Sequence, residues 1–260
     1  MNQANVSRTI NNVTTEDVFL GDRLTIRQPV KGYRAGIDAV LLAACVDAGQ
    51  TGDILDLGAG AGTVGLCAAS RCSGIRAVLV EREQELAALA RANAAANGFS
   101  DRVAVVQADI TLPLADDALR LLPQDTFAHV LANPPYHDED AGTPAENPLK
   151  AVSNAMPSDA LETWVRFMAR MTAPGGRATM IHKADALPRI LAGYENRFGG
   201  IVVLPIHPRE GAPAIRVLVQ GIKASRAPLV INPGLILHGD GNAFRPDVDA
   251  ILRRGAGLPL

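Results

Sequence analysis

Four consecutive residues, Asn133, Pro134, Pro135 and Tyr136, combine groups that could hold a planar amine. They follow the short apolar run 127–132, which is typical of a buried strand. Each proline fixes its own φ, lacks an N–H donor and favours extended backbone at the residue before it. The prolines are therefore expected to leave a backbone carbonyl free and to fix it close to the Asn133 side-chain amide and the Tyr136 ring. The plainer alternative is a strand that ends in a proline turn with a packed tyrosine.

A glycine-rich turn precedes this motif, with Gly58, Gly60 and Gly62 between an apolar strand and a helical stretch. Glycine lets the backbone approach a ligand closely. Asp56 stands two residues before the turn, where an anion would oppose binding of a pyrophosphate at the helix N-terminus. The turn therefore favours a cationic or amino-bearing ligand, such as S-adenosylmethionine, over the dinucleotide of a dehydrogenase.

Two further carboxylates are predicted to follow the ends of the next two strands. Glu81 stands where an acid accepts hydrogen bonds from ribose hydroxyls. Asp109 could accept the adenine amine, and Ile110 could pack on the adenine face. Because the carboxyl ends of parallel strands meet at one edge of a sheet, we expect these side chains to surround one cofactor. Each acid taken alone could equally be a strand cap or a solvated surface group.

The elements that must position these groups alternate between strands and helices. Strands are predicted at 53–57, 75–80, 103–107, 127–132, 177–182, 201–206 and 215–219, and helices at 37–47, 64–70, 83–97, 157–171 and 184–196. This alternation predicts an α/β fold with a Rossmann-like, doubly wound, seven-stranded sheet and helices on both faces. The turn 208–211 is too short for a parallel crossover, so the last strand should run antiparallel.

The remaining segments extend this sheet at both ends of the chain. A polar, disordered tail is predicted over 1–15, followed by a single domain over 16–260. That domain divides into an N-terminal hairpin and helix over 16–50, a catalytic sheet core over 51–222 and a C-terminal extension over 223–260. The extension reads as an extended pair, 229–231 and 235–238, followed by a short helix at 246–252.

Composition sets limits on the class of protein. With 260 residues, 48% hydrophobic and 20% charged, the chain is expected to fold as a soluble globular protein. A net charge of −2 gives no overall basic signature for nucleic acid, although a local basic patch remains possible. No signal peptide or membrane-spanning run is apparent, so we expect a cytoplasmic protein, and a monomer. The three cysteines lack metal-ligand spacing, and Cys67 and Cys72 read as small core residues.

The glycine turn, the three acids and the Asn-Pro-Pro-Tyr motif together resemble the class I S-adenosylmethionine-dependent methyltransferases. The Asn-Pro-Pro-Tyr form is similar to members that methylate adenine N6, guanine N2 or a glutamine amide. From about residue 16 the chain resembles the small-domain family, whose members include enzymes that methylate adenine N6 in tRNA. The stretches that carry this resemblance are Gly36-Ile37-Asp38-Ala39-Val40-Leu41-Leu42, 205–209, 213–218 and 244–248.

The resemblance implies S-adenosylmethionine as cofactor, no metal, and a tRNA substrate. It assigns catalytic roles to Asn133, Pro134 and Tyr136, with Asn133 also beside the cofactor and Pro135 beside the substrate. It also implies that Asp38 lies near the methionine end of the cofactor, although a first-turn acid can simply favour the helix dipole. Candidates for contact with RNA phosphates, or else ordinary surface charges, are Lys31, Arg34, Lys150, Arg209, Arg216, Lys223 and Arg226.

Alternative functions remain open at this point. A protein-glutamine N5 methyltransferase shares the motif but resembles enzymes with a helical substrate domain before the glycine turn. An rRNA guanine-N2 enzyme is a second alternative, and a catalytically silent RNA-binding scaffold is a third. Segment 151–156 lacks the Arg/His-Glu pair that related tRNA enzymes carry, so the substrate loop over 137–157 leaves the nucleotide open.

Overall fold

A computed structural model of the chain describes residues 14–31, 34–112, 119, 122–138, 155–156 and 160–260. The described part begins with an antiparallel hairpin of β1 (Thr14–Phe19) and β2 (Leu24–Pro29). Thr14 and Thr15 pair with β2, so the prediction of a disordered tail is wrong for these two residues. The rest of that predicted tail lies outside the described residues.

The described chain contains eleven further strands. They are β3 (Gly52–Leu57), β4 (Ile75–Glu81), β5 (Val103–Gln107), β6 (Phe127–Ala132), β7 (His137–Asp138), β8 (Ala155–Met156), β9 (Thr172–Lys183), β10 (Phe198–His207), β11 (Arg216–Lys223), β12 (Val230–Ile231) and β13 (Leu235–Ile236). The main sheet has the order β12-β10-β11-β9-β6-β3-β4-β5, with β13 also paired to β10, while β7 and β8 pair separately.

The seven long strands of this sheet confirm the predicted α/β architecture. β3 to β6 and β9 pair in parallel, whereas β11 runs antiparallel to both of its neighbours. The tail segments 229–231 and 235–238 do not pair with each other as predicted. Instead β12 and β13 each add a short parallel strand to β10, which brings the sheet to nine strands.

Helices cover both faces of the sheet, as predicted. They are α1 (Ile37–Ala44), α2 (Thr63–Arg71), α3 (Gln84–Ala96), α4 (Ala160–Met171), α5 (Leu187–Tyr194) and α6 (Pro246–Arg254). Alternate strand residues point to opposite faces. Leu79 therefore joins the apolar core under α1, α2 and α3, while its neighbour Val80 joins the core under α4 and α5.

Two element boundaries differ from prediction for identifiable reasons. The structure begins β9 at Thr172, five residues before the predicted start, because an irregularity in its pairing with β6 absorbs the Pro-Gly-Gly turn. The helix predicted over 184–196 starts as a 3₁₀ turn, and α5 begins at Leu187 with a proline in its first turn. Proline is tolerated there because the first-turn N–H has no partner within the helix. The predicted helix start at 157–159 lies outside the described residues.

The hairpin is tied to the sheet by asparagine side chains of α3. Asn93 accepts a hydrogen bond from the N–H of Arg27 and donates one to its carbonyl, at 2.9 and 3.0 Å. The same side chain donates to the carbonyl of Ala61 in the glycine turn at 2.9 Å. The hairpin and the glycine turn are therefore held by one buried amide. No helix in the described part of the chain is long and apolar enough to span a membrane.

Candidate active site

The glycine turn joins β3 to α2 in a left-handed conformation. Gly58, Gly60 and Gly62 have φ values of +65°, +56° and +90°, which favour glycine over residues with a Cβ. A Cβ at Gly58 would lie 2.5 Å from Cη2 of Trp164, and one at Gly62 would lie 3.0 Å from Cδ2 of Leu79. A Cβ at Gly60 would meet nothing within 4 Å. Side chains therefore pack closely against Gly58 and Gly62, whereas the space beside Gly60 is open.

Asp56 lies buried beneath this turn. Its Oδ2 accepts a hydrogen bond from the N–H of Gly65 at 2.9 Å, which ties the end of β3 to the first turns of α2. Burial raises the pKa of Asp56 to about 7, opposed by the Gly65 hydrogen bond and assisted by the charge of Glu81. A cationic group bound nearby would favour the charged form of this carboxyl.

Glu81 holds the open glycine in place. Its Oε2 accepts from the N–H of Gly60 at 2.8 Å, and its Oε1 accepts from the N–H of Glu83 at 2.9 Å. Burial raises the pKa of Glu81 even though both hydrogen bonds favour the carboxylate. Each carboxylate oxygen can accept more than one hydrogen bond, so the acid retains capacity for a ligand hydroxyl.

Asp109 and Ile110 follow β5 at the neighbouring strand end. The N–H of Ala108 donates to the carbonyl of Glu81 at 3.0 Å, which brings these two strand ends together. Oδ1 of Asp109 accepts from the N–H and the hydroxyl of Thr111, at 2.9 and 2.7 Å, as in an Asx turn. Ile110 is buried in the apolar core under α4. The three predicted acids therefore stand at three adjacent strand ends.

The Asn-Pro-Pro-Tyr motif follows β6, which pairs with β3 on the side away from β4 and β5. The hydroxyl of Tyr136 lies 2.5 Å from Oδ1 of Asn133 and 2.9 Å from Oδ2 of Asp38 in α1. Nε of Arg216, the first residue of β11, donates to the same Oδ2 at 3.0 Å. Its guanidinium carbon lies 4.7 Å from the centre of the Tyr136 ring. Asp38, predicted at the cofactor, thus contacts the motif.

His182, near the end of β9, belongs to this cluster and was missed by sequence reasoning. Its ring donates a hydrogen bond to the carbonyl of Pro135 and lies edge-on to Tyr136, with ring centres 5.0 Å apart. Burial lowers its pKa to about 4, with the charge of Arg189 acting in the same direction. The histidine is therefore neutral at neutral pH. A lone His in a strand gives no sequence signal for such a contact.

The cations predicted to bind phosphate have different surroundings. Arg34 donates to both carboxylate oxygens of Asp17, at 2.7 and 2.6 Å, and so braces the hairpin. Arg209 donates to the carbonyls of Gly239 and Gly241 and to Asn242. Lys31 is exposed. Lys150 lies outside the described residues. These contacts give Arg34 and Arg209 structural roles, and their binding to phosphate stays a prediction.

Comparison with known proteins identifies related sequences. The sequence profile of the methyltransferase small domain matches residues 34–155. A Porphyromonas gingivalis protein named tRNA1(Val) (adenine(37)-N6)-methyltransferase is 31% identical over 177 residues, which span 66% of this chain and 67% of the relative. A protein of the same name from Pedobacter heparinus is 29% identical over 231 residues, 86% of this chain and 94% of that relative.

Among solved structures, a crystal structure from Agrobacterium tumefaciens, described as a predicted O-methyltransferase, is similar over most of its length. It is 34% identical to this chain, with a TM-score of 0.72, and the match covers 86% of this chain and 99% of that one. The similarity therefore extends over most of both chains.

Proposed function

The chain belongs to the methyltransferase small-domain family, and on that premise we propose that it methylates the N6 amine of an adenine in tRNA. The enzyme is a methyltransferase, and its methyl donor is S-adenosylmethionine. The proposal for the acceptor is carried by one observation: the Asn133 amide oxygen, the motif's prolines and the Tyr136 ring are gathered at the strand end beside the glycine turn. The names of the relatives from Porphyromonas and Pedobacter support the same acceptor.

The residues at the glycine turn fit S-adenosylmethionine. Gly60 is held by Glu81 and opens onto free space, as a backbone in contact with a ligand requires. Asp56, whose burial disfavours an isolated charge, suits a ligand that carries an ammonium and a sulfonium. Glu81 would take the ribose hydroxyls, with Asp109 and Ile110 around the adenine. When bound, the cofactor supplies an electrophilic methyl group on sulfur.

The chain's own part in the reaction is to hold and orient the amine. The exocyclic nitrogen of adenine is a poor nucleophile because its lone pair is delocalised into the ring. Asn133 Oδ1 and the Pro134 carbonyl would each accept one of its N–H groups, which favours a pyramidal nitrogen with an available lone pair. His182 bonds the neighbouring Pro135 carbonyl, and the Pro134 carbonyl is the backbone acceptor proposed for the amine. Positioning and carbonyl dipoles then lower the barrier.

Tyr136 would supply the surface on which the target base stacks, worth about 1–3 kcal/mol. An adenine stacked inside an RNA loop cannot reach a strand end, so it has to be extruded before reaction. The exposed cations around the hairpin, including Lys31, would follow the RNA backbone. A tRNA substrate implies a cytoplasmic protein.

The experiment that tests this proposal uses tritiated S-adenosylmethionine with total tRNA, total rRNA and a protein extract, each from a strain lacking the protein. We expect label in tRNA, recovered as N6-methyladenosine after digestion to nucleosides. Label confined to protein or to guanine would refute the proposal. The control is Asn133→Ala, for which kcat should fall at least about 100-fold because the amine loses one acceptor.

A second candidate is transfer to a hydroxyl oxygen, favoured by the description of the Agrobacterium structure. A hydroxyl has one hydrogen to donate, whereas the Asn133 and Pro134 acceptors are suited to the two hydrogens of an amine. The nucleoside digest separates the two functions, because a 2′-O-methylated nucleoside and N6-methyladenosine are different products.

A further inference from the structure

One carboxylate oxygen joins three distant parts of the chain at the active site. Oδ2 of Asp38 accepts the hydroxyl of Tyr136 at 2.9 Å and Nε of Arg216 at 3.0 Å. Asp38 lies in the first turn of α1, Tyr136 after β6 and Arg216 at the start of β11. The sequence separations are 98 and 178 residues. Because these contacts converge on a half-buried oxygen, they specify where the Tyr136 hydroxyl lies.

The single proton of the Tyr136 hydroxyl can be directed to either of two side-chain oxygens. Oδ1 of Asn133 lies at 2.5 Å and Oδ2 of Asp38 at 2.9 Å. A substrate amine that donates to Asn133 would compete with the phenol for that oxygen. Asp38 gives the phenol an alternative acceptor, so that Tyr136 can release Asn133 without leaving its own O–H unsatisfied. An unsatisfied hydroxyl at a partly buried site would be destabilising, because it loses its hydrogen bonds to water without replacement.

Arg216 constrains the same ring from its face. Its guanidinium carbon stands 4.7 Å from the ring centre, within the range of a cation–π contact. Partial burial acts to lower the pKa of Arg216, but hydrogen bonds and charge from Asp38 and Tyr136 outweigh it and raise the pKa. Arg216 therefore stays charged, and because its guanidinium covers one face of Tyr136, a stacking base would have to use the opposite face.

From these contacts we propose that Asp38 and Arg216 are positioning residues for Tyr136. Asp38 accepts the hydrogen bond of the phenol when the acceptor amine occupies Asn133, and Arg216 holds Asp38 and covers the ring face that the base does not use. The inference rests on the proposed function for its account of the amine, and it gives Asp38 a role other than direct contact with the cofactor.

The kinetic test compares Asp38→Asn, Arg216→Met and the conservative Arg216→Lys. A misplaced ring should lower kcat by about 10- to 100-fold for the first two variants, while KM and Kd for S-adenosylmethionine change less than about threefold. Arg216→Lys, which keeps the charge beside Asp38, should recover part of kcat. In a Tyr136→Phe background, which lacks the hydroxyl, Asp38→Asn should change kcat by less than about threefold.

The opposite pattern would overturn the proposal. If Asp38→Asn weakens S-adenosylmethionine binding at least about tenfold in both backgrounds, Asp38 acts on the cofactor directly. The matched control is Arg197→Met, which breaks a similar ion pair between Arg197 and Glu162 (2.5 Å) away from this cluster. That variant should leave kcat and KM unchanged, which separates loss of position from general loss of an arginine.

A readout independent of activity keeps this inference separable from the proposed function. The chain has three tyrosines, so protein labelled with 3-fluorotyrosine gives three ¹⁹F NMR signals, and Tyr136→Phe identifies the one from Tyr136. Asp38→Asn and Arg216→Met should both shift that signal and leave the signal of buried Tyr194 unchanged. An unmoved Tyr136 signal refutes the positioning role. A moved signal with no methylation of tRNA refutes only the proposed acceptor.

Discussion

The indole of Trp164 occupies the position that a side chain on Gly58 would need, with Cη2 2.5 Å from the place of a Cβ. Trp164 lies on α4 and is 8% exposed, so this helix supports the first glycine of the turn from below. We predict that Gly58→Ala destabilises the protein by about 3 kcal/mol, from overpacking together with the left-handed φ. Chemical denaturation measures the change. If Trp164→Leu restores part of the lost stability, the loss arises from this contact. An unchanged free energy of unfolding in Gly58→Ala would contradict the prediction.

Gly60 provides the contrasting case at the same turn. Its Cβ position is open, so Gly60→Ala should cost only the strain of a left-handed φ, about 1–2 kcal/mol. The added methyl group would nevertheless project into the space assigned to S-adenosylmethionine. We therefore expect the Kd for the cofactor to rise at least tenfold, equivalent to about 1.4 kcal/mol or more. Calorimetry with S-adenosylmethionine tests this, and an unchanged Kd would place the cofactor elsewhere.

The raised pKa of Asp56 predicts how the stability of the ligand-free protein depends on pH. Burial raises its pKa from the ordinary 3.8 to about 7, so between these values the folded state binds more protons than the unfolded chain. Stability should therefore fall as pH rises through this window, by up to about 4 kcal/mol. Asp56→Asn keeps an oxygen for the Gly65 N–H and should remove this part of the slope. Urea unfolding at pH 5 and pH 7.5 checks the sign, and a steeper slope in the variant would contradict it.

The lowered pKa of His182 predicts the opposite dependence within the same range of pH. Its pKa falls from 6.5 to about 4, mainly because it is buried, with Arg189 and Lys183 opposing and Asp185 favouring the charged form. The stability that depends on its neutral ring is present above pH 6.5 and is lost as pH falls toward 4, by up to about 3 kcal/mol. His182→Gln should reduce this acid sensitivity, as measured by thermal unfolding at pH 4.5 and pH 7.

The substitution His182→Gln should also lower kcat, because the Pro135 carbonyl and the Tyr136 ring lose a partner. His129 supplies the control, since it is equally buried but bonds Thr179 within the sheet at 2.7 Å. Burial lowers its pKa to about 3, so His129→Gln should also alter acid sensitivity. We expect kcat to remain unchanged in that variant. Equal losses of kcat in both would show a general effect on the core.

Local sequence patterns were sufficient to predict the architecture and the positions of the acids at the strand ends. Apolar runs of strand length alternate with amphipathic stretches. Strands of a parallel sheet are buried on both faces, so a continuous apolar run of this length predicts such a strand. The turn 208–211 was enough to predict that β11 is reversed. Cys67 and Cys72, predicted as core residues, are free and buried. Boundaries at Thr172 and Leu187 were missed because bulges and 3₁₀ turns depend on pairing and packing rather than on local composition.

The sequence by itself determined that an amide, two prolines and an aromatic ring follow one strand while a glycine turn and acids follow others. These features depend on neighbours in the chain, where steric and hydrogen-bonding preferences act directly. Only the tertiary structure decided that Asp38, Tyr136 and Arg216 share a single carboxylate oxygen, and that His182 bonds Pro135. Such contacts depend on strand order and register, which bring residues 178 positions apart to one sheet edge without any local signal.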